Sequence, residues 1–277
     1  MTVPTGDSMA PRKGAARFSA LQPSVMDALN RGDIATVNLV EFLAIDIALL
    51  AQNVARSMGL DPYADRLVDA LAMLDAFKPM QRHGHIARAL YDLTVEHPDR
   101  DAIASRLANH PSDMARSWAC YWLQCADMSL QDKLFSVRRF AIDTHFGVRE
   151  MAWSAVRNDV IADLDQALVI LQSWVLDSDP YVRRFASELT RPRGVWCAQI
   201  EALKAEPWRA LHVLEPLRAD PDQYVQNSVA NWLNDASKSQ PAWVEKKCAE
   251  WNAASPNRAT AYITRRALRT LRKYEIS

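Results

Sequence analysis

An internal repeat constrains this chain more than any other feature. Met114 in MARSWACYWL, Val148 in VREMAWSAV, Val182 in VRRFASEL, Val225 in VQNSVANWL and Ile263 in ITRRALRTL each place an aliphatic residue ahead of polar or basic residues and then a small one. The intervals are 34, 34, 43 and 38 residues. Units of this length are helix pairs, and no pair can bury its apolar face except against its neighbours. Val137 in VRRFAIDTHF matches Val182 more closely than Val148 does, and is assigned to the first helix of a unit whose second helix carries Val148. Asp179-Pro180 and Asp220-Pro221 fit turns ahead of second helices, because Pro suits the first helical position, where its missing N–H costs nothing. Only seven glycines in 277 residues, with 49% hydrophobic content, favour helices over a sheet. The expected fold is all-α: a HEAT-like α-solenoid of antiparallel helix pairs from about His97 onward, with a concave basic face lined by successive second helices. Residues 1–20 read as a flexible N-terminal tail and residues 21–277 as a single helical repeat domain.

Several classes of protein are excluded or disfavoured. The N-terminus, MTVPTGDSMAPRKGAARFSA, is polar and basic without the apolar run of a signal peptide. The most apolar stretch, Ile34 to Leu50, is interrupted by Asn38, Glu41 and Asp46, which would be costly in a bilayer. It reads as a buried core helix continuing to Met58 and ended by Gly59 and Asp61-Pro62. No membrane contact is expected, and a cytoplasmic location is. Cys120, Cys125, Cys197 and Cys248 lack paired spacing and read as reduced thiols. His83-Gly84-His85 reads as a polar turn between helices, since no third ligand lies nearby to make a metal site. There is no Gly-rich phosphate loop, serine nucleophile elbow or HExxH, and no metal or cofactor is expected. Lys+Arg and Asp+Glu are both 33, so a nucleic-acid surface would need charge segregated onto one face.

The stretch DSDPYVRRFASELTRPRGVW, residues 177–196, concentrates chemistry. Val182, Phe185, Ala186 and Leu189 form one apolar stripe at helical spacing, leaving Arg183, Arg184, Glu188, Arg191 and Arg193 off it. Four cations on a short surface suit phosphate. In the repeat alignment Arg149, Arg183, Arg184, Arg265 and Arg266 recur at equivalent offsets and could track a phosphate backbone. Arginines there also serve pairing with Asp between repeats, and both readings stand. Arg191 and Arg193 lie past the helix end, where no repeat rule demands them. Glu188 has Ser154 and Asn231 as its repeat equivalents, so the repeat requires no acid at that offset. Asn231, Asn234, Asp235, Ser237 and Lys238 form a polar cluster in an apolar helix block. Asn is unfavourable inside a helix, so the cluster serves either inter-repeat hydrogen bonds or phosphate and substrate positioning.

These residues carry a resemblance. VRRFASELTRPRGVW is similar to the hallmark VRRLxSEGTRPRLPW of the AlkC branch of the AlkC/AlkD DNA alkylation-repair glycosylases, sharing Ser187-Glu188 and Thr190-Arg191-Pro192-Arg193. YVQNSVANWLNDASKSQPAWV, residues 224–244, resembles the same family's YVRRSVANxLNDISKDNPxxV, and FGVREMAW resembles its FxxEFAIRPF. The resemblance covers residues 35–272, with departures at Leu189 for a glycine, Gly194-Val195 for Leu-Pro and Gln226-Asn227 for two basic residues. It implies a monofunctional DNA glycosylase that hydrolyses the N-glycosidic bond of cationic alkylated bases of the 3-methyladenine and 3-methylcytosine type. The implied catalytic carboxylates are Glu150 and Glu188, with substrate contacts from Trp196, Trp153, Asn231 and Asp235. DNA contacts fall to Arg149, Arg183, Arg184, Arg191, Arg193 and Lys238. The implied partner is double-stranded alkylated DNA, bound by a monomer without metal. The chain ends at Ser277 soon after its last repeat, so the immunoglobulin-like C-terminal domain of some members is not expected. An alkylated base already carries positive charge and leaves readily, so a fixed carboxylate that stabilises the oxocarbenium-like sugar supplies the needed help. Tryptophan faces can contact that cation. The alternative is a catalytically inactive HEAT-like module binding DNA structure or protein partners, which the zero net charge favours.

Overall fold

The computed structural model describes residues 12–194 and 197–275. Every regular element among them is helical, in two compact units, one ending at Trp122 and the other beginning at Leu123. No glycine, proline or change of composition marks that boundary in the sequence.

The first unit contains α1 (Pro23–Arg31), α2 (Leu39–Ala44), α3 (Ile47–Ser57), α4 (Ala64–Leu71), α5 (Pro79–Thr94), α6 (Arg100–Ala108) and most of α7 (Asp113–Cys125). The apolar stretch from Ile34 is two helices, not one. Asn38 accepts from the Glu41 N–H and Asp46 from the Leu49 N–H, so two of its three polar interruptions are helix caps. The third, Glu41, is buried and pairs with Arg12, whose guanidinium also donates to the Ala35 carbonyl at 2.8 Å. Residues 12–20 are therefore held in place rather than forming the end of a flexible tail, because a buried carboxylate requires its cation. The remainder of that expected tail, residues 1–11, lies outside the described residues. Helix α5 also corrects an expectation, running unbroken through His83-Gly84-His85 from Pro79 as its first residue. Both imidazoles find partners in this unit: Trp118 Nε1 donates to His83 Nδ1 at 3.2 Å, and His85 Nε2 donates to the Ala70 carbonyl at 2.7 Å. Gly59 follows α3 with φ of 80°, a left-handed conformation suited to ending a helix. No helix among the described residues is long and apolar enough to cross a membrane.

The second unit contains α8 (Leu130–Ala141), α9 (Phe146–Ala155), α10 (Arg157–Ala162), α11 (Leu164–Trp174), α12 (Pro180–Leu189), α13 (Glu201–Ala205), α14 (Leu211–Leu214), α15 (Gln223–Ser237), α16 (Pro241–Ala254), α17 (Arg258–Ala267) and α18 (Arg269–Glu275). It is built in two layers. Helices α9, α12, α15 and α17 pack side by side in chain order, and α8, α11 and α14 form a second row beside them. The repeat residues Val148, Val182, Val225 and Ile263 sit on the first row and are fully buried. The long interval of 43 residues has its extra length between the end of α12 and the start of α13, and α14 continues the second row after α11.

The repeat has a local cause. Asp143, Asp177 and Asp220 accept the N–H groups of His145, Asp179 and Asp222 at 2.7, 2.9 and 2.9 Å. Those three residues in turn cap α9, α12 and α15 by accepting from the N–H groups of Gly147, Tyr181 and Tyr224. The residue after each repeat valine folds back onto the same loop: Arg149 onto the Asp143 and Thr144 carbonyls, Arg183 onto those of Asp177 and Ser178, and Gln226 onto that of Asp220. Loop carbonyls that would otherwise be buried bare are thereby satisfied.

Burial pushes the His83 pKa down to about 4 from 6.5, with the Asp113 charge opposing in part. Folding therefore favours the neutral ring, and the stability it supports is complete above pH 6.5 and lost as pH falls from there towards about 4. The urea midpoint should fall across this window by an amount equivalent to as much as ~3 kcal/mol at its lower end. His83→Gln should flatten that fall, and an equally steep profile in the variant would assign it to other groups.

Candidate active site

Helix α12 begins as its sequence dictates, with Asp179 as cap and Pro180 as first residue, and buries Val182, Phe185, Ala186 and Leu189. Its polar face departs from expectation. Arg184 and Glu188, read from sequence as surface groups, are buried, because α12 lies between α9 and α15 and turns this face towards both.

What fills that space is a chain of charges. Arg184 Nη2 lies 2.6 Å from Glu150 Oε1 on α9 and 3.4 Å from Glu188 Oε2 one turn along its own helix. The Ser228 hydroxyl of α15 donates to Glu188 Oε2 at 2.7 Å. Beyond the end of α12, Arg191 Nη1 donates to Glu188 Oε1 at 2.6 Å, while its Nε and Nη2 donate to Asp235 Oδ2 on α15 at 2.9 and 2.7 Å. Lys238 ends the series, 3.3 Å from Asp235 Oδ1. Burial alone would raise the Glu188 pKa, but the Arg184 and Arg191 guanidiniums and the Ser228 hydroxyl outweigh it and hold the carboxyl below its ordinary value. For Arg191 burial likewise opposes the charged form, and Glu188 and Asp235 more than compensate.

The three carboxylates differ in access. Side-chain exposure is 6% for Glu188 and for Asp235 but 38% for Glu150. Glu150 is nevertheless fixed: Trp153 Nε1 donates to Oε2 at 3.0 Å, and the Tyr224 hydroxyl approaches Oε1 at 3.4 Å, beside the Arg184 contact. The Tyr224 ring is held in turn by Arg184 at 4.6 Å and Arg149 at 5.4 Å from its centroid. Arg149 also stacks over Tyr181 at 4.4 Å. Burial raises the Tyr224 pKa, keeping its hydroxyl a donor.

Three participants were not singled out from the sequence. Arg157 is almost wholly buried and donates to the carbonyls of Leu189, Arg191 and Ala198 at 2.6, 2.6 and 3.0 Å. It fixes the segment that carries Arg191 and Arg193, and burial lowers its pKa. Nothing in the repeat marks it. Ser228 is equally unmarked, whereas Tyr224 had a signal, since Tyr181, Tyr224 and Tyr262 each stand one residue before a repeat aliphatic.

The structure thus brings together Glu150, Trp153, Arg184, Glu188, Arg191, Asp235 and Lys238. Arg183 is committed elsewhere, forked onto Asp220 at 2.7 and 3.0 Å in addition to its loop carbonyls. Arg149 is divided between its loop and the tyrosines. Arg193 reaches back to α15, donating to the Asp235 carbonyl at 3.3 Å and to the Ser239 hydroxyl at 2.6 Å. Asn231 accepts from Arg269 at 2.9 Å, and Asn234 bonds the Ala267 carbonyl and Thr270, joining α15 to α17 and α18. Trp196 lies outside the described residues. Among the described residues, no group of three or more His, Cys, Asp or Glu is arranged to hold a metal ion.

Comparison with known proteins bears on this arrangement. The family model described as DNA alkylation repair enzyme matches residues 80–271. An uncharacterized protein of Bacillus subtilis, YhaZ, is 37% identical over 138 residues, which is 50% of this chain and 37% of that protein. Among solved structures, the alkylpurine DNA glycosylase AlkC of Pseudomonas fluorescens, bound to DNA containing an abasic site analog, superposes with a TM-score of 0.65 at 29% identity. The match covers 80% of this chain and 62% of that one. AlkD2 of Streptococcus mutans shares the fold at a TM-score of 0.58 and 20% identity, over 78% of this chain and 96% of its own. The chain therefore spans less than two thirds of the curated relative and of the AlkC chain.

The two kinds of arginine contact predict different costs. Removing the buried Asp220 deprives the half-buried Arg183 of its forked partner and the Asp222 N–H of its acceptor, so Asp220→Ala should destabilise the chain by about 1.5–3 kcal/mol. Asp165→Ala, which removes the exposed partner of Arg209, should cost less than about 1 kcal/mol. Urea unfolding of both variants checks the contrast, and equal small effects would show that the Arg183 fork is not needed for stability.

Proposed function

This chain belongs to the DNA alkylation repair enzyme family, and on that premise we propose that it is a monofunctional DNA glycosylase acting on cationic alkylated bases in double-stranded DNA. The observation that carries the proposal is Glu150: a carboxylate open to solvent along one side yet held by Arg184, Trp153 and Tyr224. Preorganised charge of this kind stabilises a transition state without reorganising as the reaction proceeds.

In the proposed reaction the bond between C1′ and the base nitrogen breaks, and its electron pair neutralises the cationic base as it leaves. Positive charge then develops on the sugar. Glu150 faces that charge and orients a water, whose oxygen bonds to C1′ while its proton passes to the carboxylate or to solvent. Bases of the 3-methyladenine and 3-methylcytosine type fit, since they leave without being protonated. Glu188 and Asp235 have a different part, because their oxygens are occupied by Arg184, Arg191, Ser228 and Lys238. They act as positioning residues, Glu188 through Arg184 on Glu150, and Asp235 through Arg191. Trp153 supplies an aromatic contact to base or sugar, a part that the resemblance also gives to Trp196. Lys238 and Arg193, at the edge of the cluster, reach phosphate. The similarity to a glycosylase solved on DNA and the resemblance at Ser187-Glu188 and Thr190-Arg191-Pro192-Arg193 support this reading, with a cytoplasmic monomer as the working form.

Purified protein should release methylated bases from alkylated DNA above the spontaneous rate. Glu150→Gln should lower that release by on the order of 10²-fold or more with little change in melting temperature. Glu188→Gln should lower both, because the buried Arg184 and the half-buried Arg191 lose their shared anion. Tight binding of alkylated DNA without any base release would instead make the chain a non-catalytic binding module.

A further inference from the structure

Charge in the second unit is segregated in a way the net balance conceals. Arg138, Arg183, Arg184, Arg191 and Arg209 each hold a carboxylate. The segment from Arg258 to Lys273 contains six cations and neither Asp nor Glu. Within it Arg265, Arg266 and Arg272 are exposed and Arg269 is half-buried, and none of the four pairs with a carboxylate among the residues whose side chains are described, which end at Arg272.

Their position in the repeat matters more than their number. The second and sixth residues after the repeat aliphatic are Glu150 and Ser154 on α9, Arg184 and Glu188 on α12, and Asn227 and Asn231 on α15. Continuing the register gives Arg265 and Arg269. Side chains four apart share a helix face, so on α9, α12 and α15 each pair lies on one face; Arg265 continues it on α17, and Arg269, at the start of α18, is joined to it through Asn231. Contacts confirm the continuity: the Tyr262 hydroxyl donates to Asn227 at 2.7 Å and Arg269 to Asn231 at 2.9 Å, on the stripe of α15 that also bears Tyr224 and Asp235. Tyr262 stands under both Arg265 and Arg266, 5.7 and 5.4 Å from its centroid.

Local structure does not account for the cluster. Arg265 and Arg266 fall in the last turn of α17, where the helix dipole favours a cation. Arg269 opens α18, where the dipole disfavours one, and its Nη1 is turned back onto the Arg266 carbonyl at 2.8 Å. After burial, the Arg266 charge is what most lowers the Arg269 pKa. Like charges left this close without a described carboxylate call for an anion from outside.

We infer that Arg265, Arg266, Arg269 and Arg272 form a phosphate-binding surface that grips the DNA backbone to one side of the lesion held at Glu150. This rests on the glycosylase reading above and adds a second anchor to it. Seven residues of α15 separate Tyr224 from Asn231, or about 10 Å along the helix. That is about three base steps of a duplex strand, far enough from the reacting sugar for Arg269, which meets Asn231, to hold phosphate without opposing the cation that forms there.

The test is binding of the full chain to a labelled duplex containing an abasic-site analogue, across a salt series. Each phosphate contact contributes about 0.9 to the slope of log K against log salt. The R265A/R266A/R272A variant should lose about 2 to 3 of that slope and bind at least ~10-fold more weakly at low salt. Lys246→Ala, which removes an exposed cation of α16, should change neither. Arg272→Glu alone, a single exposed change, should weaken binding if the triple variant fails to fold. An unaltered slope in a folded triple variant, while the parent chain binds DNA, would overturn this surface and leave the glycosylase reading intact. A parent chain that binds no duplex at any salt would overturn both.

Discussion

Two guanidiniums held between three carboxylates are what the second unit is built to enclose. Arg184 and Arg191 take charges from Glu150, Glu188 and Asp235, which stand on three successive helices of one layer. Such a network is not a cheap source of stability, since each charge loses water on burial and the pairing only offsets that loss when geometry and hydrogen bonds are complete. Here they nearly are: both Glu188 oxygens are occupied, and Arg191 donates through all three nitrogens. The Arg184 Nε, buried without a partner, is an exception. What the network yields is position. A shift of α9 against α12, or of α12 against α15, would strip a partner from a buried charge, so the register of three repeats is tied to the geometry around Glu150.

Supports outside the network serve the same end. Arg157 satisfies three carbonyls on the segment after α12, and the Trp232 indole donates to the Thr190 carbonyl at 2.9 Å on the same segment. Without these, Arg191 would extend from a free loop, and its two carboxylates would face each other across a gap. The chain just beyond the end of α12 is thus held by one buried cation and one indole, which explains why a polar sequence such as TRPR can be placed against a packed interior.

The periodic parts of this architecture were legible. The repeat aliphatics, the assignment of Val137 and Val148 to consecutive helices, and the Asp179-Pro180 helix start all depend on local rules, and local rules act within a few residues. What was hidden depends on neighbours. The polar side of α12 looks solvent-facing when its own stripe is considered alone, and becomes interior only because helices flank it on both sides. Arg191 meets Asp235 across 44 residues, and no spacing rule signals such a pair. Asn38 and Asp46 were visible as polar breaks in an apolar run, but their meaning as caps required knowing that the run was two helices. His83 looked like part of a turn because the Gly84 beside it is a poor helix former, yet tertiary partners for both histidines override that preference. The open question about the repeat arginines divides by offset: the position directly after the valine serves the loop, and the next position faces the site.

That division makes the polar face readable as a sequence of charges. One residue further than the structural offset, the face runs from Glu150 through Arg184 and Asn227 to Arg265, and four residues on it runs from Ser154 through Glu188 and Asn231 to Arg269. It therefore begins with an acid open to solvent, passes through neutralised and neutral groups, and ends in cations without described counter-charges. A uniformly basic face would bind any duplex and would oppose positive charge forming on a sugar. A uniformly acidic face would favour that charge and repel the backbone carrying it. A ligand that presents a cationic centre on a polyanionic strand requires both signs within a few helix widths, in order and held apart. In a repeat fold this needs no special loop or cofactor, only different residues at one offset in successive helices, with Arg184 and Arg191, held by Glu188 and Asp235, fixing the acidic end in place.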